Sequence, residues 1–258
     1  APTREDFIKA VTDGLEAPPL YFPINARINK EGYDPLEEVL SNGLQPLSLN
    51  DFTTLQNDDA VVLDTRTAAL FTAGFIPGSI FIGLEGRFAE WAGSLLPYDK
   101  TLLLVTEPGK ERETVIRLAR VGFSRIAGFL EGGFDTWVSS GASTDMVLNV
   151  EADELALDLP FDNHLVVLDV RREAEYAEGH VRQAVNLPLI EMTDPGEIST
   201  IDDRDNLYVY CAGGYRSVIA ASLLKRQGLH NLRNVIGGWS EIREQPGIEI
   251  VKDNSVLN

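Results

Sequence analysis

Apolar residues fall in short blocks along this chain, and two spacings alternate. "HLVVLDV" (His164 to Val170) is an unbroken, β-branched-rich run, the pattern of a strand buried on both faces rather than on one. "LYVY" (Leu207 to Tyr210) is a second run of the same kind. "SVIAASLLKRQG" (Ser217 to Gly228) changes to helical spacing, with basic residues late and a glycine at its end, a normal C-terminal stop. "NVIGG" (Asn234 to Gly238) then predicts another strand and a glycine turn. Strands alternating with helices imply an α/β fold built on a mainly parallel sheet flanked by helices. In such sheets ligands sit at the carboxyl ends of the strands.

The pattern occurs twice. "VVLDTR" (Val61 to Arg66) returns as "VVLDVR" (Val166 to Arg171), 105 residues on. Gly74 returns as Gly179, and "EGGFDTW" (Glu131 to Trp137) faces "IGGWSEI" (Ile236 to Ile242), both at the same offset of 105. Three landmarks at one offset mark a tandem duplication. "SSGASTD" (Ser139 to Asp145) is small and polar and reads as the joint. The expected domains are residues 46–142 and 146–258, with residues 1–45 belonging to neither copy. In that leading segment "TREDFIKAVTDGL" (Thr3 to Leu15) reads as a capped helix, and the proline-rich Glu16 to Gly32 cannot continue it. The apolar content of Thr3 to Tyr33 predicts packing on the body of the protein.

Composition narrows the partners. A formal charge of −18 disfavours nucleic acid and anionic membranes, which select basic patches. No apolar run approaches the ~18 residues of a membrane span. The opening "APTREDF" has no apolar h-region and no initiator Met, as expected of a processed chain or a piece of a longer one. A single cysteine excludes an intrachain disulfide and suits a cytoplasmic setting.

That cysteine, Cys211, stands in "YCAGGYRS" (Tyr210 to Ser217), between the second strand and the helix. A lone cysteine can be merely a small buried hydrophobe. Here Ala212, Gly213 and Gly214 carry little bulk, so their N–H groups can converge on the sulfur. The helix N-terminus adds partial positive charge at the same spot, and Arg216 adds a full one. These terms favour the thiolate, which is the nucleophile. Ready alkylation near neutral pH, with protection by a bound anion, is the expected behaviour.

The strand "LDVR" (Leu168 to Arg171), "EYAEGHVRQAVNLP" (Glu175 to Pro188), the loop "CAGGYRS" and "GGW" (Gly237 to Trp239) together resemble the rhodanese family of sulfurtransferases, over nearly all of residues 46–258. The resemblance implies two rhodanese-like domains. It also implies that Cys211 accepts a sulfane sulfur from thiosulfate or a persulfide donor and passes it to a thiol or cyanide acceptor. Ala212, Gly213, Gly214, Tyr215, Arg216 and Ser217 would form the substrate cradle. No metal or organic cofactor is implied. Residues 3–32 resemble the C-terminal tail of metallo-β-lactamase-fold persulfide dioxygenases, which implies such a domain as a fusion partner in a longer protein. The metal-binding histidine motif of that fold is absent from this sequence.

The first copy departs where the chemistry should be. The position equivalent to Cys211 is Thr106, in "VTEPGKERE" (Val105 to Glu113). A threonine cannot form a persulfide, Pro108 removes a backbone donor, and Glu107 puts a carboxylate where an anion would bind. This copy is expected to be catalytically inactive, with Glu107 satisfying the N-terminus of its own helix.

Other candidates have structural readings. His180 is matched by Phe75 in the first copy, which favours a turn residue over a base. His164 and His230 are scattered, so no zinc site assembles. Asp169 and Arg171 recur as Asp64 and Arg66 in the copy that lacks the cysteine, which favours a structural ion pair. Trp239 faces Phe134 and reads as core packing. Two rival functions are a Cys-and-Arg phosphatase and a non-catalytic binding module. The phosphatase loop is one residue longer than the four enclosed by Cys211 and Arg216, and the intact cysteine loop argues against a mere binding role for the second copy.

Overall fold

The computed structural model describes residues 35–253 and, ahead of them, the isolated positions Thr3, Arg4, Phe7, Phe22, Ala26, Lys30 and Gly32. Apart from those positions, the helix read over residues 3–15, the extended segment after it and their packing fall outside the described residues.

The first half runs α1 (Leu36–Gly43), β1 (Pro46–Leu47), α2 (Leu49–Asn57), β2 (Val61–Asp64), α3 (Ala68–Ala73), β3 (Ile80–Phe81), α4 (Phe88–Leu95), β4 (Leu102–Val105), α5 (Glu111–Ala119), β5 (Ile126–Leu130) and α6 (Gly133–Ser139). The second half runs β6 (Leu148–Val150), α7 (Ala152–Asp158), β7 (Leu165–Asp169), α8 (Glu173–Glu178), β8 (His180–Val181) and β9 (Val185–Asn186). A 3-10 turn (Leu189–Thr193) and α9 (Pro195–Ile198) lead to β10 (Asn206–Tyr210), α10 (Tyr215–Arg226), β11 (Leu232–Val235), α11 (Trp239–Ile242) and β12 (Ile250–Val251).

The duplication is exact at the level of topology. The first half forms a five-stranded parallel sheet in the order β1-β5-β4-β2-β3, and the second repeats it as β6-β11-β10-β7-β9. A short antiparallel pair, β8 with β12, is added to the second half. The aliphatic runs form β2 and β4 because both faces of the sheet are covered, and all four residues of each strand are buried. Register then fixes the site: Asp169 at the end of β7 lies beside Tyr210 at the end of β10, so Cys211 emerges next to the β7 terminus.

The helix predicted from Ser217 begins two residues earlier, at Tyr215, because Gly214 at φ +99° turns the chain straight from the strand into α10. Every residue of α10 from Ser217 to Lys225 is buried. One side of this helix covers its own sheet and the other meets the first half. There the Phe81 N–H donates to Ser222 Oγ at 3.0 Å, and Arg226 Nη1 donates to the Gly78 carbonyl at 2.7 Å. One apolar cluster accordingly runs through both halves, joining Phe71, Phe81 and Ile82 to Val218, Ala221 and Leu224, beside a smaller cluster within each half.

The polar joint is fastened at its end. Asp145 exchanges backbone hydrogen bonds with Phe75 and takes a 2.8 Å ion pair from Lys225 of α10. Within the leading segment that matches neither copy, α1 packs on the first half: Val39 is buried, and a Cβ on Gly43 would meet Val115 at 2.9 Å.

Candidate active site

Cys211 sits where β10 ends, 1% exposed, and its sulfur accepts the Gly214 N–H at 3.1 Å. Of the three N–H groups read from the sequence, the Gly214 group donates to the sulfur. The thiol lies 3.6 Å from Ser217 Oγ, and that hydroxyl donates to the Gly214 carbonyl at 3.1 Å. Sulfur, glycine N–H and the first turn of α10 therefore meet at one point, the placement that stabilises negative charge on sulfur.

A second glycine pair closes the loop from behind. Gly237 and Gly238 both have positive φ, at +70° and +55°. A Cβ on Gly238 would lie 2.2 Å from the Cys211 carbonyl oxygen. The close approach lets the Trp239 N–H donate to that carbonyl at 2.7 Å, and the Ser240 N–H donate to the Ala212 carbonyl at 3.2 Å. The sequence predicts a glycine turn here; the close approach of Gly238 to the cysteine is a tertiary fact.

Arg216, the full positive charge read from the sequence, is already paired. Its guanidinium holds Glu175 of α8 through Nη1–Oε2 at 2.6 Å and Nη2–Oε1 at 2.7 Å. Hydrogen bonds from Arg216 keep the Glu175 carboxyl below its ordinary range despite partial burial, and the same bonds raise Arg216. Glu175 also accepts the Arg172 N–H at 3.2 Å. A signal for this pair existed in the sequence: the first copy has Leu70 and Glu111 at the two equivalent positions, so both charges of the pair are missing there.

Tyr215 points away from the sulfur. Its hydroxyl donates to the Gly83 carbonyl of the first half at 2.8 Å, and its ring meets Phe81 edge-on. Burial raises the Tyr215 phenol well above its ordinary value. Tyr215 can serve the cradle through its backbone, while its side chain ties the cradle to the other half.

Asp169 and Arg171 form a pin beneath the loop. Arg171 Nε lies 3.0 Å from both Asp169 oxygens, and its Nη2 reaches the Gly179 carbonyl at 2.7 Å. The guanidinium lies 4.4 Å from the Trp239 ring centre. The first half repeats this arrangement atom for atom, with Arg66 on Asp64 at 2.6 Å, on the Gly74 carbonyl at 2.8 Å and over Phe134 at 4.2 Å. A pin present in both halves, one of which lacks the nucleophile, supports structure. His180 likewise stacks on Tyr176 at 3.6 Å, as Phe75 stacks on Phe71 at 4.2 Å.

In the first half Thr106 is buried where the sulfur would be. The Glu107 carboxylate accepts the Thr67 N–H at 3.0 Å. Thr67 is the N-cap of α3, so Glu107 serves a neighbouring helix and not its own, a correction to the sequence expectation. Among the described residues no cluster of three or more His, Cys, Asp or Glu could hold a metal ion, and no helix is long and apolar enough to cross a membrane.

The pattern of the rhodanese-like domain matches this chain twice, over residues 48–140 and 151–245. The chain belongs to the rhodanese-like domain family. Among its relatives, the thiosulfate sulfurtransferase PspE of Escherichia coli K12 is 33% identical over 75 residues, covering 29% of this chain and 71% of that protein. A sulfurtransferase of Allochromatium vinosum is 30% identical over 93 residues, covering 36% of this chain and 85% of that one. YrkF of Bacillus subtilis is 33% identical over 103 residues, and the match spans 40% of this chain and 54% of YrkF. A rhodanese-like domain protein from Staphylococcus aureus, of known structure, is 26% identical, with a TM-score of 0.36 over 40% of this chain and 97% of that one. Both halves are thus rhodanese-like domains, each a parallel five-stranded sheet flanked by helices.

Proposed function

We propose that the second rhodanese-like domain is a sulfurtransferase working through a Cys211 persulfide, and that the first is non-catalytic. The observation that carries this reading is the Cys211 sulfur lying at the start of α10 with the Gly214 N–H donated to it. In the loading step the Cys211 thiolate forms a bond to the sulfane sulfur of thiosulfate or of a persulfide. The donor's S–S bond breaks, and its electron pair leaves with sulfite or with the donor thiolate. The second step reverses the roles. An acceptor thiolate or cyanide attacks the outer sulfur of the persulfide, and the Cys211 thiolate is regenerated. No net oxidation occurs and no cofactor enters. The loop N–H groups and the helix N-terminus stabilise the anionic sulfur in both resting and loaded forms.

A persulfide as physiological donor is supported by the resemblance of residues 3–32 to the tail of persulfide dioxygenases. We infer a cytoplasmic setting, which a chain with a single cysteine suits. The test is intact mass after incubation with donor: the parent gains one sulfur atom, and Cys211→Ser gains none while keeping its fold. Sulfur transfer by Cys211→Ser would overturn the mechanism, and phosphate release from an aryl phosphate would favour the rival phosphatase reading.

A further inference from the structure

Between Cys211 and the first residue of α10 the chain reads Ala-Gly-Gly, a stretch with little steric restraint of its own. A Cβ on Gly213 would meet nothing within 4 Å, and one on Gly214 would meet only the Gly237 nitrogen at 3.8 Å. Gly214 must nonetheless keep its φ of +99° for its N–H to reach the sulfur at 3.1 Å. Packing on the glycines does not hold it there. The restraint comes from the two ends of the loop.

At the cysteine end, the Trp239 and Ser240 N–H groups fix the Cys211 and Ala212 carbonyls. At the helix end three side chains act. Ser217 donates to the Gly214 carbonyl within its own turn, and Arg216 grips Glu175 of the same half. Tyr215, joined directly to Gly214, reaches across to the other half. Its hydroxyl donates to the Gly83 carbonyl at 2.8 Å, and its ring stands 3.3 Å from where a Cβ on Gly83 would be.

The Gly83 carbonyl is itself a fixed point. On either side of it, the Ile82 N–H donates to the Asp64 carbonyl at 3.0 Å and the Leu84 N–H to the Thr65 carbonyl at 3.1 Å, where β2 ends. Arg117 of α5 donates to the carbonyls of Leu84 and Gly86. The duplication supplies a control. The aspartate–arginine pin and the ring stack beside it recur in both halves, but the tyrosine does not: its equivalent is Lys110, exposed and paired with Glu113 at 3.1 Å. The anchor belongs to the half that carries the nucleophile.

We propose that Tyr215 is a positioning residue for sulfur transfer, and that the non-catalytic half is a working part of the active site. By seating the Tyr215 hydroxyl on the Gly83 carbonyl, the first half holds the Gly214 N–H on the Cys211 sulfur. The inference rests on the sulfurtransferase reading and adds a positioning residue to the same site. Tyr215 touches neither donor nor acceptor; it acts through the backbone of its neighbour. Its loss leaves the charges around the loop unchanged and loosens the geometry of the step itself.

The experiment is the rate of sulfur addition to Cys211, read by intact mass over a range of thiosulfate concentrations, on the full chain and three variants. Tyr215→Phe keeps the ring and its contact with Phe81 but loses the hydroxyl. Gly83→Ala, 128 residues before the nucleophile in sequence, crowds the same ring from the first half. Ser222→Ala removes a different hydrogen bond across the same junction, the one from the Phe81 N–H. In Tyr215→Phe and Gly83→Ala the maximal loading rate should fall about tenfold, with the half-saturating thiosulfate concentration within about twofold of the parent's. Ser222→Ala should load at the parent's rate, although it too weakens the junction. Parental loading by either of the first two variants overturns the inference, and so does an equal slowing in Ser222→Ala, which would reduce Tyr215 to general stability. Should Gly83→Ala fail to fold, Tyr215→Phe decides alone. If the parent itself gains no sulfur from thiosulfate or a persulfide, the sulfurtransferase reading falls and the inference falls with it.

Discussion

A methyl group at Gly238 has nowhere to go, because the Cys211 carbonyl oxygen stands 2.2 Å from where it would be placed. Gly238→Ala should therefore cost at least about 2 kcal/mol, from the left-handed backbone and the forced retreat of the loop, visible as a lower urea midpoint. Sulfur loading should slow in the same variant, because the loop carrying the nucleophile is what must move. Glu175→Gln tests a different term. The carboxylate neutralises Arg216, so its removal should lower the KM for thiosulfate about fivefold, the ~1 kcal/mol expected of a partly exposed ion pair. The stability effect has a definite sign. Arg216 holds the Glu175 carboxyl below its ordinary value of about 4.3, so the pair contributes fully above that pH and fades as acid passes through the lowered value. The difference in urea midpoint between parent and Glu175→Gln should be constant from pH 6 to 7 and shrink toward zero on acidification below about pH 4.

At the scale of elements, two loops of equal length follow equivalent strands and differ only in what they offer an anion. In the first, Pro108 stands for Gly213, Glu107 is turned to the N-cap of α3, and Glu111 stands where Arg216 would be. Thr106→Cys combined with Cys211→Ser should accordingly transfer no sulfur, while turnover near the parent rate would show that the neighbours do not matter. Much of this level was legible in the sequence. Strands β7 and β10 and helix α10 were readable because unbroken aliphatic runs and 3.6-residue spacing are local signals, and the 105-residue offset exposed the duplication. The cysteine loop was readable for the same reason, since nucleophile, glycines and helix start are contiguous. What escaped were contacts between segments distant in sequence: Glu175 with Arg216, Gly238 with Cys211, Tyr215 with Gly83. No periodicity records such pairs. For Glu175 and Arg216, though, the simultaneous loss of both charges from the first copy was a usable hint.

At the scale of the whole molecule, the largest apolar cluster is shared and α10 is enclosed by both halves, so unfolding should be one cooperative event. Fluorescence of Trp91 and Trp137 in the first half and of Trp239 in the second should report the same urea midpoint in single-tryptophan variants; two separated midpoints would show independent domains. Ser222→Ala strands the buried Phe81 N–H across that junction and should cost about 1–3 kcal/mol by the same measurement. Net charge acts at this scale too. With −18 on the chain, thiosulfate approaches against a repulsive field, so raising ionic strength should speed loading by that dianion, and a rate that falls with salt would contradict this. The pin of aspartate, arginine and glycine carbonyl has a consequence for anyone rebuilding this protein. It holds a Thr-Glu-Pro loop in one half and a Cys-Ala-Gly-Gly loop in the other with nearly the same bond lengths. It therefore behaves as a socket indifferent to its insert, and a designer can exchange the catalytic turn as a cassette, leaving the frame that presents it untouched.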